Sequence, residues 1–311
     1  MYELRVIGRG ALAGMLAGLV GFVFARIWAE PVINKAIDYE SGRDAALNGL
    51  NAAAGRPLAA DGPEIFSRTI QSNVGVATGI VGFAVAMGML VGVAYLVLHG
   101  RVSVGPRTLA WMIAAFGYLG VFLLPFVKYP ANPPAIGHDF TITTRGHLYL
   151  TMVGLSLILL GLAVYCAATL APRVGTGRAL LLAGIGFLVL YGIALAVLPS
   201  LGNLPANVGN TGEFGFARAA TETPQPITNI TARPLTVGGT VYAPGQIVYP
   251  GFDADLLWKF RWYSLLNQTL IWLVIGVVFG ELTHRIFTSA DTPQPSTTGG
   301  VVRPEPAPAA S

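Results

Sequence analysis

Long apolar runs separated by polar segments dominate this chain. Six runs of about 20 residues are each long enough to cross a bilayer as a helix. They lie at about residues 6–28, 74–98, 108–127, 147–170, 179–198 and 262–287. The pattern predicts an all-α integral membrane protein with six transmembrane helices in residues 1–288.

Three polar segments, residues 30–73, 128–146 and 200–258, separate these runs. In the first, Glu30-Pro31 suits a helix start, and apolar residues then recur every three or four positions. This predicts one short amphipathic helix at the membrane surface. In the third, LTVGGTVY predicts a small β-hairpin turning at Gly238-Gly239. The Pro-rich residues 289–311 have the composition of a disordered cytoplasmic tail.

Residues 128–146, the proline loop, form an unusual connector between two spans. Prolines fix φ and remove backbone donors, so no helix can pass through this loop. We interpret it as a rigid loop that acts as a gate or a structural element. Its candidate residues are Lys128, Tyr129, Pro130, Asn132, Pro133, Pro134, Arg145 and His147.

Glycines in the first two spans favour close helix packing. Gly10, Gly14 and Gly18 recur every four residues, which lets another helix approach closely. The pairs Gly75/Gly79 and Gly88/Gly92 repeat this spacing in the second span. The spacing predicts that these two spans pack tightly.

Composition narrows the function classes. The chain is 53% hydrophobic and only 11% charged, which excludes an ordinary soluble enzyme and indicates the lipid bilayer as a partner. Its basic residues are dispersed, so no nucleic-acid partner is expected. The single cysteine, Cys166, permits no disulfide framework and no cysteine metal site. No nucleophile elbow, P-loop or dinucleotide motif is present, and we expect no enzymatic activity.

Charge distribution predicts the orientation. Six spans leave both termini on one side, and the short loops on that side are rich in arginine with almost no acids. The positive-inside rule then places the N- and C-termini in the cytoplasm and the three polar segments outside. The arginines concerned are Arg5, Arg9, Arg101, Arg107, Arg173, Arg178 and Arg285.

Candidate metal-binding residues lie in the polar segments. No charged residue falls at the middle of a span, which argues against a proton- or sodium-coupled pump. His138 and Asp139 could form an oxygen and nitrogen site for a divalent cation. A second set of acids could attract cations at the outer entrance of the protein: Glu30, Asp38 and Glu40. The alternatives are a loop pinned by hydrogen bonds and ion pairs for the first set, and a membrane-surface helix for the second.

Glu281 and His284 form a Glu-x-x-His pair at helical spacing near the end of the last span. The pair could serve as a cytoplasmic exit site for a metal ion. The alternative is an ordinary solvated helix end.

Three stretches resemble the CbtA family of proposed cobalt transporter subunits. They are PFVKYPANPPAIG with Thr141-Ile142 and Arg145, the start GRGALAGMLAGLVGFVFARIWAEPVINKAIDYE, and the late WKFRWYSLLNQTLIWLVIGVVFG. The resemblance implies a multi-pass inner-membrane protein in cobalt uptake for cobalamin synthesis. It also implies a small single-span CbtB-type subunit with a histidine-rich end, and Co²⁺ as cargo rather than bound cofactor.

The chain departs from this family in two respects. The family is often described with five spans, whereas six are predicted here. Residues 202–255 and the tail match none of the family features.

Two functions from different classes follow. The first is a membrane subunit of a divalent-cation uptake system, with Co²⁺ as the expected ion. The alternative is a non-transporting scaffold or assembly subunit that docks an envelope partner through its outer loops, as the size of residues 202–255 suggests. The sequence leaves open whether the chain forms a homo-oligomer.

Overall fold

A computed structural model describes residues 2–56, 67–209 and 222–290. These residues contain six helical stretches long and apolar enough to cross a membrane, which confirms the predicted all-α membrane fold. The spans are built from α1 (Tyr2–Phe24), α3 (Arg68–Ile70) with α4 (Val76–Leu98), α5 (Pro106–Gly117) with α6 (Leu124–Lys128), α7 (Ile142–Val174), α8 (Thr176–Val197) and α10 (Ala254–Ala290). Of the predicted tail, residues 289–311, the first two residues end α10, and residues 291–311 lie outside the described residues.

The first span does not end where the polar segment begins. α1 continues through a π-helical turn, Ala25–Ala29, into α2 (Glu30–Ala53), so Glu3–Ala53 is one helix of 51 residues. At 1.5 Å per residue it is about 75 Å long, more than twice the thickness of a bilayer core. The predicted short surface helix is therefore a long extension of the first span. The π turn lies directly before Pro31. Its different hydrogen-bond spacing can accommodate a residue that has no backbone N–H donor.

Two further π-helical turns, Gln71–Gly75 and Tyr118–Leu123, join α3 to α4 and α5 to α6. Short 3₁₀ turns occur at Asp139–Thr141 and Leu201–Asn203, and α9 (Pro205–Gly209) follows the second. α7 and α10 begin earlier than the hydropathy pattern predicts. Arg145 and His147 consequently lie on α7 rather than in a loop.

Glycine contacts hold α1 against α4. A Cβ added at Gly10 or Gly14 would overlap a backbone carbonyl oxygen of α4, that of Gly88 or Ala84. This confirms the predicted tight packing of the first two spans. Gly75 and Gly79 take no part in it, because the space around Gly79 is open and Gly75 faces only its own helix.

The main core lies between α1, α4, α5 and α10. Its largest fully buried side chains are Tyr95, Phe279, Ile271 and Ile275. α7 and α8 pack on each other and on the third span, where Tyr191 donates a hydrogen bond to the Leu124 carbonyl. In the most apolar stretch of each of these helices only 11% is buried inside the protein. α7 and α8 therefore offer most of their surface to lipid.

The described part of residues 200–258 contains four short strands. β2 (Leu235–Val237) and β3 (Thr240–Tyr242) pair antiparallel, which confirms the predicted hairpin. Its two turn residues, Gly238 and Gly239, have φ of 57° and 82°, which glycine adopts readily. β1 (Ile227–Thr228) and β4 (Ile247–Tyr249) form a second antiparallel pair. These strands are too short for sequence periodicity to reveal.

The polar segments gather at one end of the bundle. Ile227 and Leu235 pack on Leu50 of α2. Phe252 and the proline-loop residue Ile136 pack on Ala36 of α2. At the opposite end Arg9 hydrogen-bonds the Leu282 carbonyl, and Arg107 pairs with Glu281. We call the two ends the polar end and the terminal end.

Gly88→Ala should destabilise the protein by about 1–3 kcal/mol, because the new methyl group would meet the Gly10 carbonyl and a neighbouring backbone. Thermal unfolding of the detergent-solubilised protein measures the effect. Gly79→Ala, in the same helix but with open space around it, is the matched control and should leave stability almost unchanged. Equal effects of both substitutions would contradict the close α1–α4 contact.

Candidate functional site

The proline loop is folded against the second large polar segment. Pro133 and Ile136 are buried, and the Gly137 amide donates to the Glu222 carbonyl at 2.8 Å. Ala135 has φ of 70° and Gly137 φ of 101°, so the chain reverses sharply there. The loop is thus a packed element, as its prolines suggested.

Glu222 is the centre of the contacts that hold this loop. Its buried carboxylate accepts hydrogen bonds from the His138 amide at 3.1 Å and from Asn207 Nδ2 at 3.0 Å. Thr141 Oγ1 lies 3.1 Å from the same carboxylate and 2.9 Å from the His138 carbonyl. Arg145 supplies the opposite charge, with Nε 3.9 Å from Glu222 Oε2.

Arg145 also supports the loop backbone directly. Its Nη2 donates to the His138 carbonyl at 3.3 Å, and its guanidinium fills the space beside Gly137, where a Cβ would overlap it. Glycine is required at 137 for both its φ and this close approach. Arg145 therefore contacts both Glu222 and the backbone of the loop.

Sequence reasoning missed Glu222. The only available signal was that a glutamate stood in a segment otherwise rich in Thr, Pro, Asn and Gly. Two of its partners, His138 and Thr141, lie 84 and 81 residues away in the chain, so no local sequence pattern links them to Glu222.

Cations hold the other side of the loop through neutral oxygens. Lys128 Nζ donates to the Leu195 carbonyl at 2.7 Å, at the end of α8. Arg261 of α10 donates to Asn132 Oδ1 at 2.9 Å. The Tyr129 hydroxyl donates to the Pro199 carbonyl at 2.9 Å. The loop therefore links the ends of α6, α8 and α10.

The structure separates the predicted metal-binding residues. Glu30 is buried and paired with Arg68, which also donates to Asn34 Oδ1 at 2.8 Å. Asp38 is exposed on α2, and the His138 ring stacks on Phe140 with centroids 4.8 Å apart. Among the described residues, no group of three or more His, Cys, Asp or Glu side chains could hold a metal ion.

Glu40 and Asp139, by contrast, come close enough to interact. The pKa of the Glu40 carboxyl is raised, first by partial desolvation and then by the negative charges of Asp44 and Asp139. Glu40 and Asp44 lie on α2, and Asp139 lies at the start of the turn that leads into α7. We call these three residues the acidic group. Carboxylates that share a region attract cations to it.

Glu281 and His284 lie near the terminal end. Glu281 pairs with Arg107 at 2.7 Å and with Arg285 at 3.4 Å, so its charge is already balanced. His284 is half-buried, and His147, directly after the proline loop, is exposed on α7. Roles for these residues in metal passage stay predictions.

Two cavities adjoin the proline loop. A cavity of about 370 Å³ has Lys128, Asn132 and Arg261 in its wall. A second, of about 320 Å³, is largely aromatic and has Arg145 in its wall. Neither is lined by a member of the acidic group.

Comparison with known proteins adds one match. A family model described as "Probable cobalt transporter subunit (CbtA)" matches residues 3–284. This range covers the six spans except for the last residues of the sixth. It also includes residues 202–255, which the resemblance seen in the sequence did not cover. Comparisons with curated proteins and with solved structures give no match.

Glu222→Gln should destabilise the polar end by about 1–3 kcal/mol, because Arg145 would lose its charged partner in a buried site. Thermal unfolding of the full chain in detergent measures this change. Glu281→Gln removes exposed ion pairs with Arg107 and Arg285 at the terminal end and should have a much smaller effect, because solvent screens such pairs. A Glu222 effect no larger than that of Glu281 would contradict the central role of Glu222.

The raised pKa of Glu40 predicts a pH effect on stability. Because the folded state binds this proton more tightly than the unfolded state, the free energy of unfolding should fall as pH rises through the titration of Glu40. Unfolding curves recorded between about pH 4 and 7 test this prediction.

Glu40→Gln should remove this part of the pH dependence, whereas Asp255→Asn should retain it. Asp255 is an exposed acid whose charge does not contribute to the Glu40 shift. If the pH dependence of the free energy of unfolding is unchanged in Glu40→Gln, the titration of Glu40 does not contribute to it.

Proposed function

The chain belongs to the CbtA family of probable cobalt transporter subunits, and we propose that it is the membrane subunit of a Co²⁺ uptake system that serves cobalamin synthesis. The family is a class of transporter subunit rather than of enzyme. The six apolar helical stretches are those of a multi-pass membrane protein.

The acidic group is the observation that favours cation entry at the polar end. Partial burial raises the pKa of the Glu40 carboxyl, and repulsion from the negative charges of Asp44 and Asp139 raises it further. A divalent cation would relieve this repulsion, and carboxylate oxygens are suitable ligands for such an ion. A surface of one charge sign also raises the local concentration of ions of the opposite sign. In this proposal the acidic group concentrates Co²⁺ before it enters the bundle.

The polar end faces outside in this proposal, and both termini are cytoplasmic in the inner membrane. The arginine-rich short loops support that orientation through the positive-inside rule. Arg9 and Arg107 lie at the terminal end, and the acidic group lies at the polar end. The acidic group would then face the compartment from which the ion is taken up.

The proline loop acts in this proposal as a rigid frame rather than as a ligand. Glu222, Arg145, Lys128 and Arg261 fix it from both sides. This fixation positions Asp139 toward α2. His138 would contribute to this frame mainly through its backbone amide, which donates a hydrogen bond to the Glu222 carboxylate, rather than through its imidazole.

A small single-span CbtB-type subunit would supply histidine ligands in this system. The whole chain has only four histidines, and those that the structure describes form no metal cluster. A histidine-rich partner would supply the nitrogen ligands that cobalt favours and that this chain lacks.

The double substitution Glu40→Gln/Asp139→Asn should lower cobalt accumulation at limiting external cobalt by about tenfold, because the local enrichment of cations would be lost. Uptake of radioactive cobalt by cells that express the chain together with the partner subunit measures this. Asp255→Asn, another exposed acid of the polar end, should leave uptake unchanged.

Normal uptake by the double variant, at equal membrane levels, would contradict entry at the acidic group. Equal uptake with and without the chain would contradict transport altogether and favour the scaffold. The described part of residues 202–255 packs on α2 and on the proline loop through Leu235, Phe252 and Glu222. That packing accounts for the size of the segment without an envelope partner.

A further inference from the structure

A cavity at the polar end has two cationic side chains in its wall. It has a volume of about 370 Å³ and lies between the end of α6, the turn after α8 and the start of α10. We propose that this cavity is a binding site for a phosphate-class oxyanion, a function separate from cation uptake. The argument rests on the charge and the polar lining of the cavity.

Lys128 and Arg261 carry the charge of the cavity. In the described part of the chain neither forms an ion pair, and both donate hydrogen bonds to neutral oxygens, those of Leu195, Asn132 and Ala131. Arg68, Arg107 and Arg145 differ, because each has a carboxylate partner. Two positive charges facing one cavity without a carboxylate partner favour an anionic ligand.

Among the described residues of the wall, Glu222 is the one carboxylate, and it does not cancel this charge. Glu222 is paired with Arg145 and accepts hydrogen bonds from His138 and Asn207. The remaining polar wall residues are neutral amides and hydroxyls that can donate hydrogen bonds: Asn132, Ser200, Asn203 and Thr223. A lysine and an arginine joined by such donors are the groups that proteins use to bind phosphate oxygens.

The size and position of the cavity also fit this ligand class. Its volume is within the range of small-ligand sites. Trp258 and Trp262, one turn apart on α10 and both exposed, flank Arg261 in sequence. Exposed tryptophans mark the headgroup level of a bilayer. The cavity is therefore within reach of a phospholipid headgroup as well as of a soluble phosphate.

A positive cavity would repel Co²⁺, so this site is distinct from the acidic group. Its ligand would bridge the proline loop to α10 and to the turn after α8. An oxyanion held there would stabilise the loop in the conformation described.

The test uses the full chain, freed of lipid in detergent, and two probes. Native mass spectrometry measures retention of phosphatidylglycerol against diacylglycerol, which has the same tails without phosphate. Calorimetry measures binding of inorganic phosphate at constant ionic strength. Lys128→Met and Arg261→Gln should each weaken binding of the phosphate-bearing probe by about tenfold, since each removes a charged hydrogen-bond donor.

Two further variants separate binding from folding. Lys259→Gln removes an exposed cation from the same helix and should not change binding. Asn203→Asp adds a negative charge to the wall at constant size, keeps Lys128 and Arg261 with their hydrogen bonds, and should also weaken binding about tenfold.

Retention of phosphatidylglycerol alone, lost in the cavity variants, would identify a lipid headgroup as the ligand. Saturable binding of inorganic phosphate, lost in the same variants, would identify a soluble anion. The proposal is overturned if neither probe binds, or if binding is the same in the wild type, Asn203→Asp and the cation variants.

Discussion

A buried carboxylate, that of Glu222, connects the parts of the polar end. Burying a charge is costly unless hydrogen bonds and an opposite charge compensate it. Glu222 obtains both, from the His138 amide, from Asn207 and from Arg145. Because these groups belong to the proline loop, α9 and α7, one side chain fixes three segments relative to one another. The position of Asp139, next to His138, follows from this arrangement.

Besides its ion pairs, the polar end has two regions of opposite charge. The acidic group joins α2 to the start of α7, whereas Lys128 and Arg261 face a cavity beside α8 and α10. A cation would be attracted to the first region and an anion to the second. This division gives one face of the protein two opposite binding preferences, and it explains why the proline loop alone does not form a metal site.

The bundle below has a tight part and an open part. Glycines let α1 and α4 approach until their backbones touch, and α5 and α10 complete that core. α7 and α8 pack mainly on each other and on the third span. Their glycines Gly154, Gly161, Gly184 and Gly186 face open space. A glycine in a span therefore indicates close helix packing only where the backbone of another helix lies against it.

The sequence by itself determined the six spans, the Gly238-Gly239 hairpin, the rigid proline loop and the family, because each depends on local composition or on a short pattern. Only the tertiary structure decided that Glu30 is paired with Arg68, that α2 extends the first helix, and that Glu222 holds the proline loop. These contacts join residues far apart in the chain, or depend on how a π turn accommodates a proline. Packing selects such partners from many residues of the same type, and no periodicity along the chain records that choice.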